Sequence, residues 1–201
     1  MSRSAKSRSG MTLLEVAIVL TILSLLAINV TMVSKTGSQV ASSGAFFEAL
    51  NDEADTTLDR ISLALMSSSS ADLYPVKAAP GFSDYMDYTV SLGLQGGEIV
   101  LGPVERIAWE PNGPGGQVAW YSDLGGAEER TVVWSRAVPD AFDGEVLGNG
   151  IDDNANGINE ESGLAFVKNG ELVDVHLTVE GTAPDGNQKA IRRIKKVHVR
   201  N

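Results

Sequence analysis

Hydrophobic positions divide the chain into three stretches. Met11 to Val33 reads MTLLEVAIVLTILSLLAINVTMV, a 23-residue run with one charge, Glu15. At 1.5 Å rise per residue, a helix of that length spans the hydrocarbon of a bilayer. From Phe47 the spacing changes. Phe47, Leu50, Ala54, Leu58, Ile61 and Leu65 recur every three or four residues, with Asn51, Asp52, Glu53, Asp55, Asp59 and Arg60 on the other faces. That periodicity predicts an amphipathic helix whose apolar stripe packs on a core. Between the two stretches lies SKTGSQVASSG, residues 34–44, with Gly37 and Gly44. A glycine inside a helix costs about 1 kcal/mol relative to alanine, so a flexible or locally melted join is expected there. The Ser67–Ser70 run and Pro75 end the helix.

Beyond residue 85 the period drops to two. Tyr88–Leu94, Ile99–Leu101, Val104–Trp109, Val118–Tyr121 and Thr131–Val138 are strand candidates, and PNGPGG between the third and fourth reads as a hairpin loop. Val173, Val175, Leu177 and Val179 alternate with Asp174, His176, Thr178 and Glu180, which predicts a half-buried strand with His176 on its polar face. The turn TAPDGNQ leads to a basic final strand carrying His198. Trp109, Trp120 and Trp134 fall inside strand candidates and are expected in core or cross-strand packing. The fold class is α+β: one long helix, then an antiparallel sheet domain.

Composition adds little until it is laid along the chain. With 43% apolar residues among 201, the chain can fill a core, and without cysteine it has no disulfides and no thiolate metal site. The net charge of −10 hides a sharp asymmetry. Residues 1–10 carry Arg3, Lys6 and Arg8 and no acid. Lys189, Arg192, Arg193, Lys195, Lys196 and Arg200 make the end strongly basic. All 26 acids lie between, against seven basic residues. A cationic leader before an apolar run is a targeting pattern, and it puts residues 1–10 on the cytoplasmic side of a membrane. The run is too long for a secretory signal peptide, and the small residue Gly10 precedes it. Glu15 is foreign to a plain anchor, because an ionised carboxylate in a membrane helix costs about 2.5–3.5 kcal/mol. It is either an interfacial residue that snorkels or a paired functional group.

Ser9-Gly10-Met11-Thr12-Leu13-Leu14-Glu15-Val16, after a basic leader and before an unbroken apolar helix, resembles the N-terminus of type IV prepilins and type II secretion pseudopilins. The resemblance covers about 25 of 201 residues. It implies that a prepilin peptidase cuts between Gly10 and Met11 and methylates the new amine of Met11. Met11 departs from the family, where phenylalanine is commoner, and the frequent helix-kinking proline is absent from the run. Glu15 then neutralises the Met11 amine of an adjacent subunit, since an unpaired buried charge is costly. The implied layout is a cleaved leader at 1–10, a transmembrane and filament-core segment at 11–33, a helical continuation at 34–72 and a periplasmic β-rich domain at 73–201. Implied partners are the peptidase, other pilins or pseudopilins and an inner-membrane assembly platform whose ATPase does the work. Length, acidity and missing cysteines lean toward a minor subunit, of the J type. Cleavage removes the leader's three charges and leaves the mature side chains near −13.

One stretch carries the chemistry of a metal site. Residues 148–163 read GNGIDDNANGINEESG. Asp152, Asn154 and Asn156 alternate and Gly157 permits a sharp turn, the first half of a calcium loop. The Ile158 carbonyl and Glu160 or Glu161 could complete an oxygen shell, with Asp143 and Glu145 as accessory groups. Gly163 holds the twelfth position, where an EF-hand needs glutamate, so the loop resembles the shortened calcium loops of dockerin and thrombospondin-type repeats. The alternative is an Asn/Gly-rich turn with a solvated acidic face. Calcium is the one cofactor expected.

No nucleophile elbow, P-loop, zincin or dinucleotide fingerprint occurs, and no enzyme activity is expected. A minor pseudopilin of a type II secretion pseudopilus is the leading function. The alternative is a pilin of a type IV or competence pilus whose Lys189–Arg200 stretch binds DNA or a surface. An acidic chain disfavours nucleic acid, and pairing of that stretch against acids of its own domain is the simpler expectation.

Overall fold

A computed structural model describes residues 12–200. The chain divides into two compact units, residues 1–44 and 45–201. Helix α1 is Leu13–Met66, 54 residues. It runs without interruption through Gly37 and Gly44, where a melted join was expected. Among the described residues nothing lies within 4 Å of the position a Cβ would take at either glycine. The propensity penalty of about 1 kcal/mol each is spread over a helix of many turns, and i→i−4 bonding carries it.

In the first unit α1 is apolar and exposed all round. Leu13, Leu14, Ile18, Leu20, Leu25 and Val30 are among many large side chains facing out. The few polar side chains bond back to the helix itself. Thr21 Oγ1 donates to the Ala17 carbonyl at 2.8 Å, Ser24 Oγ to that of Leu20 at 2.8 Å, and Asn29 Nδ2 to that of Leu25 at 2.9 Å. A helix surrounded by hydrocarbon must satisfy its polar groups internally in this way.

The second unit wraps two antiparallel sheets around the rest of α1. β1 (Tyr85–Gln95), β2 (Glu98–Asn112), β3 (Gly115–Ser122) and β4 (Arg130–Val138) form a meander in sequence order, and β5 (Leu164–Asn169), β6 (Leu172–Thr182) and β7 (Gln188–His198) form a second. Leu50, Ala54, Leu58, Ile61 and Leu65 of α1 join one core with Met86, Tyr88, Ile107 and Val118 of the first sheet and Phe166, Val175, Leu177 and Ile191 of the second. The expected stripe is therefore real from Leu50 on. At its start Phe46 packs on the core while Phe47 is exposed. Ser135 Oγ donates to Glu53 Oε1 at 2.7 Å, tying β4 to the polar flank of α1.

Four strand expectations need correction. Ile99–Leu101 and Val104–Trp109 are one strand, β2. Pro103 is tolerated because β3 pairs with β2 only from Arg106 on, and the β1–β2 register shifts beside it. The single sheet is two. β5 is a strand where the sequence pattern predicts none. β6 is no half-buried strand: His176 is 5% and Thr178 1% exposed. The physical reason is the loop between β4 and β5. Asp143 N donates to Thr178 Oγ1 at 2.9 Å, and the Phe142 ring tilts on His176 at 5.5 Å. The loop thus roofs the face expected to meet water.

The three tryptophans are partly buried against the core. Trp120 and Trp134 stack at 6.2 Å, and Trp109 Nε1 donates to the Pro139 carbonyl at 3.1 Å. Tyr88 Oη donates to Glu105 Oε2 at 2.5 Å and accepts from Trp120 Nε1 at 2.8 Å. Burial, then the Glu105 carboxylate, raises the Tyr88 hydroxyl far above its ordinary pKa.

Candidate functional site

Gly10 and Met11 lie outside the described residues. The helix start just after them is built from Thr12 and Glu15. Glu15 N donates to Thr12 Oγ1 at 3.3 Å, and Thr12 N donates to Glu15 Oε2 at 2.8 Å. This is a reciprocal capping box: the side chains at the cap and three residues on each satisfy the other's orphan N–H. Thr12 Oγ1 also donates to Glu15 Oε2 at 3.1 Å. The S/T-x-x-E spacing before an apolar run is a recognised start signal, and it identifies a local role for Glu15 that charge reasoning alone overlooks. The carboxylate is thereby held at the first turn, against the backbone N–H of the residue that follows Met11. Helix Leu13–Met66 is long and apolar enough to cross a membrane.

The loop 139–163 is organised by its carboxylates. Asp152 accepts from Asn156 N at 3.1 Å and from Gly157 N at 2.7 Å. Asn154 Oδ1 accepts from Asn156 N at 3.0 Å, and Asn156 Oδ1 from Ile158 N at 2.9 Å. Both amide nitrogens, Asn154 Nδ2 at 3.3 Å and Asn156 Nδ2, donate to Glu161 Oε1. Asp152, Asn154, Asn156 and Glu161 are therefore brought together, and Gly157 takes φ +90°, the turn its position predicts. Glu160 is not with them. It sits at φ +55°, and its Oε1 accepts from Gly150 N at 2.6 Å. The Ile158 side chain is buried at 3% exposure, which anchors the end of the turn.

Glu145 does more than the accessory role expected of it. Its carboxylate accepts from Asn154 N and from Glu160 N, each at 3.1 Å, and so clasps both ends of the turn. Glu161 is fully buried. Its Oε2 lies 3.2 Å from His176 Nδ1, yet neither atom has a hydrogen-bond partner. Among the described residues no three His, Asp or Glu side chains gather as a metal site; the loop gathers two carboxylates and two amides.

Part of the basic end of the chain is engaged within its own domain. Arg193 Nη2 donates to Asn51 Oδ1 at 2.6 Å and its Nε lies 3.3 Å from Asp55, while Lys195 Nζ lies 2.6 Å from Asp59. Lys196 meets Asp174 at 3.4 Å and His198 meets Glu171 at 3.3 Å. These pairs are largely exposed and each is worth under about 1 kcal/mol. They answer three of the six basic charges of Lys189–Arg200 locally, those of Arg193, Lys195 and Lys196.

Residues 5–28 match the family described as "Prokaryotic N-terminal methylation motif". No curated protein and no solved structure matches the chain.

Proposed function

We propose that this chain, type IV pilin-like in its N-terminal motif and in its architecture, is a minor subunit of a type II secretion pseudopilus. One observation carries the reading: the methylation motif at residues 5–28 runs into an exposed apolar helix whose first turn holds a single carboxylate, Glu15. In this reading the precursor sits in the bacterial inner membrane with residues 1–10 cytoplasmic and the β-rich unit periplasmic. The prepilin peptidase cuts after Gly10 and methylates Met11. The new cationic amine then lies within the apolar segment, where a counter-charge is required. Glu15 of a neighbouring subunit supplies it and sets the axial register, while the exposed apolar side chains of α1 pack between subunits in the filament. Nothing in this role needs chemistry from the chain itself.

A type IV or competence pilin that binds DNA through Lys189–Arg200 is the second reading. It is weakened by the pairing of Arg193, Lys195 and Lys196 with Asp55, Asp59 and Asp174. The test is to express the chain in a host with and without its prepilin peptidase. The expected result is a mature form that begins with N-methyl-Met11, co-sediments with sheared filaments, and persists as full-length precursor when the peptidase is missing. An unprocessed chain in the peptidase-positive host would overturn the reading. Normal processing with salt-sensitive DNA binding, and no effect of its deletion on secretion, would move it to the second.

A further inference from the structure

We infer that residues 152–161 form a calcium site in which Asp152, Asn154, Asn156, the Ile158 carbonyl and Glu161 are the protein ligands and Glu160 is not one. The decisive group is Glu161. Carboxylates are almost never fully buried unless they are paired or coordinate a metal. Glu161 is 0% exposed, and only Oε1 is satisfied, by the two asparagine amides. Oε2 has no hydrogen bond. The imidazole 3.2 Å away does not supply one, since His176 Nδ1 is itself without a partner. The Glu161 carboxylate thus holds both asparagine side chains through Oε1 and keeps Oε2 free of hydrogen bonds, which leaves it capacity to ligate a cation in the turn.

The remaining donors suit a hard cation. The Asp152 carboxylate uses its oxygens on two backbone N–H groups, and each amide oxygen of Asn154 and Asn156 accepts one. Every one of these oxygens has a second lone pair to give. The ligands alternate along the chain up to Gly157, so they can face one concavity, and the Gly157 turn brings round Ile158 and then Glu161. Two carboxylates match the charge of a divalent ion. A set drawn from amides, a carbonyl and carboxylates on an irregular loop favours calcium over magnesium, which demands near-octahedral geometry and keeps its waters. Glu160 is committed to Gly150 N, and Glu145 to Asn154 N and Glu160 N, so Glu145 positions the loop without ligating. Because this loop covers His176 and Thr178, the ion would fix the roof of the second sheet.

The test uses the full chain in detergent micelles, titrated with calcium by calorimetry and melted in calcium, magnesium and EGTA. One ion per chain is expected, with a dissociation constant on the order of 10–1,000 µM, the range of weak sensors and extracellular modules. The melting temperature should rise in calcium and stay at the EGTA value in magnesium. Glu161→Gln and, on the more exposed side of the turn, Asp152→Asn should each weaken binding at least about tenfold, the least expected for loss of one charged ligand of two. Glu160→Gln should bind like the parent. The absence of calcium binding by the folded parent overturns the site, as does a Glu161→Gln or Asp152→Asn variant that binds normally. An equal response to magnesium overturns the choice of ion, and loss of binding in Glu160→Gln overturns the ligand assignment.

Discussion

Glu15 holds two roles that a pair of substitutions can separate. Its carboxylate closes the capping box with Thr12 at 2.8 Å, and in the proposed filament its charge answers a neighbour's amine. Glutamine at the same place keeps the box, because its side chain can still accept from Thr12 N, but it removes the charge. Thr12→Ala does the reverse: it deletes the hydroxyl that accepts from Glu15 N and leaves the carboxylate. Loss of a threonine cap costs about 1 kcal/mol. Since that cost is paid in membrane and filament alike, Thr12→Ala should reduce incorporation by no more than about fivefold. An uncompensated ion within a membrane segment costs about 2.5–3.5 kcal/mol, so Glu15→Gln should reduce incorporation by about a hundredfold. The assay is quantitative mass spectrometry of the sheared, sedimented filament fraction against total mature protein, in cells that carry the peptidase. Both variants should be cleaved and methylated normally. The charge argument is refuted if Glu15→Gln enters filaments within about threefold of the parent, or if Thr12→Ala is as damaging as Glu15→Gln, which would leave the cap as the whole explanation.

Three further outcomes test other parts of the structure. Gly37→Ala with Gly44→Ala adds two methyl groups where nothing lies within 4 Å and removes about 1 kcal/mol of helix penalty at each; amide hydrogen exchange across residues 35–46 should slow by roughly tenfold or more, and unchanged exchange would mean the helix is not the rate-setting structure there. Gly163→Ala would place Cβ 2.2 Å from the Pro139 carbonyl oxygen and 2.8 Å from Val138 Cγ1, and backbone cannot rotate away, so a loss of at least about 1–3 kcal/mol is expected in urea unfolding; a change under about 0.5 kcal/mol contradicts the packing described. The Tyr88 hydroxyl holds its proton more tightly folded than unfolded, so its stabilising share is complete below about pH 10 and falls as pH rises beyond the unfolded value; the parent should lose up to about 1.4 kcal/mol per pH unit more than Tyr88→Phe above that point, and parallel pH profiles would refute it.

What could be read from residues alone depended on how local the cause was. The apolar run, the stripe from Leu50 to Leu65 and the alternation of β6 are each fixed by neighbours three, four or two residues away, so periodicity reports them. Two further signals in the sequence are equally local. Thr12-x-x-Glu15 is a capping box, and Asn169-Gly170 after the apolar Leu164–Val167 run marks the hairpin that makes β5 a strand. The burial of His176 and Thr178 is of another kind. Alternation correctly placed them opposite Val175 and Leu177, but it says nothing about what covers that face. The cover is residues 139–163, whose sequence reads as a calcium loop or, alternatively, a solvated acidic turn, and in neither case as the cover of a strand. That same composition acquires a different meaning once folded: Glu145 is spent on backbone amides, Glu160 on Gly150, and Glu161 is carried inward to meet His176. These three acids thus divide into a clasp, a cap and a buried charge. Of these groups only Glu161 keeps a buried oxygen, Oε2, without a hydrogen bond, and the proposed cation site rests on that oxygen rather than on acidity as such.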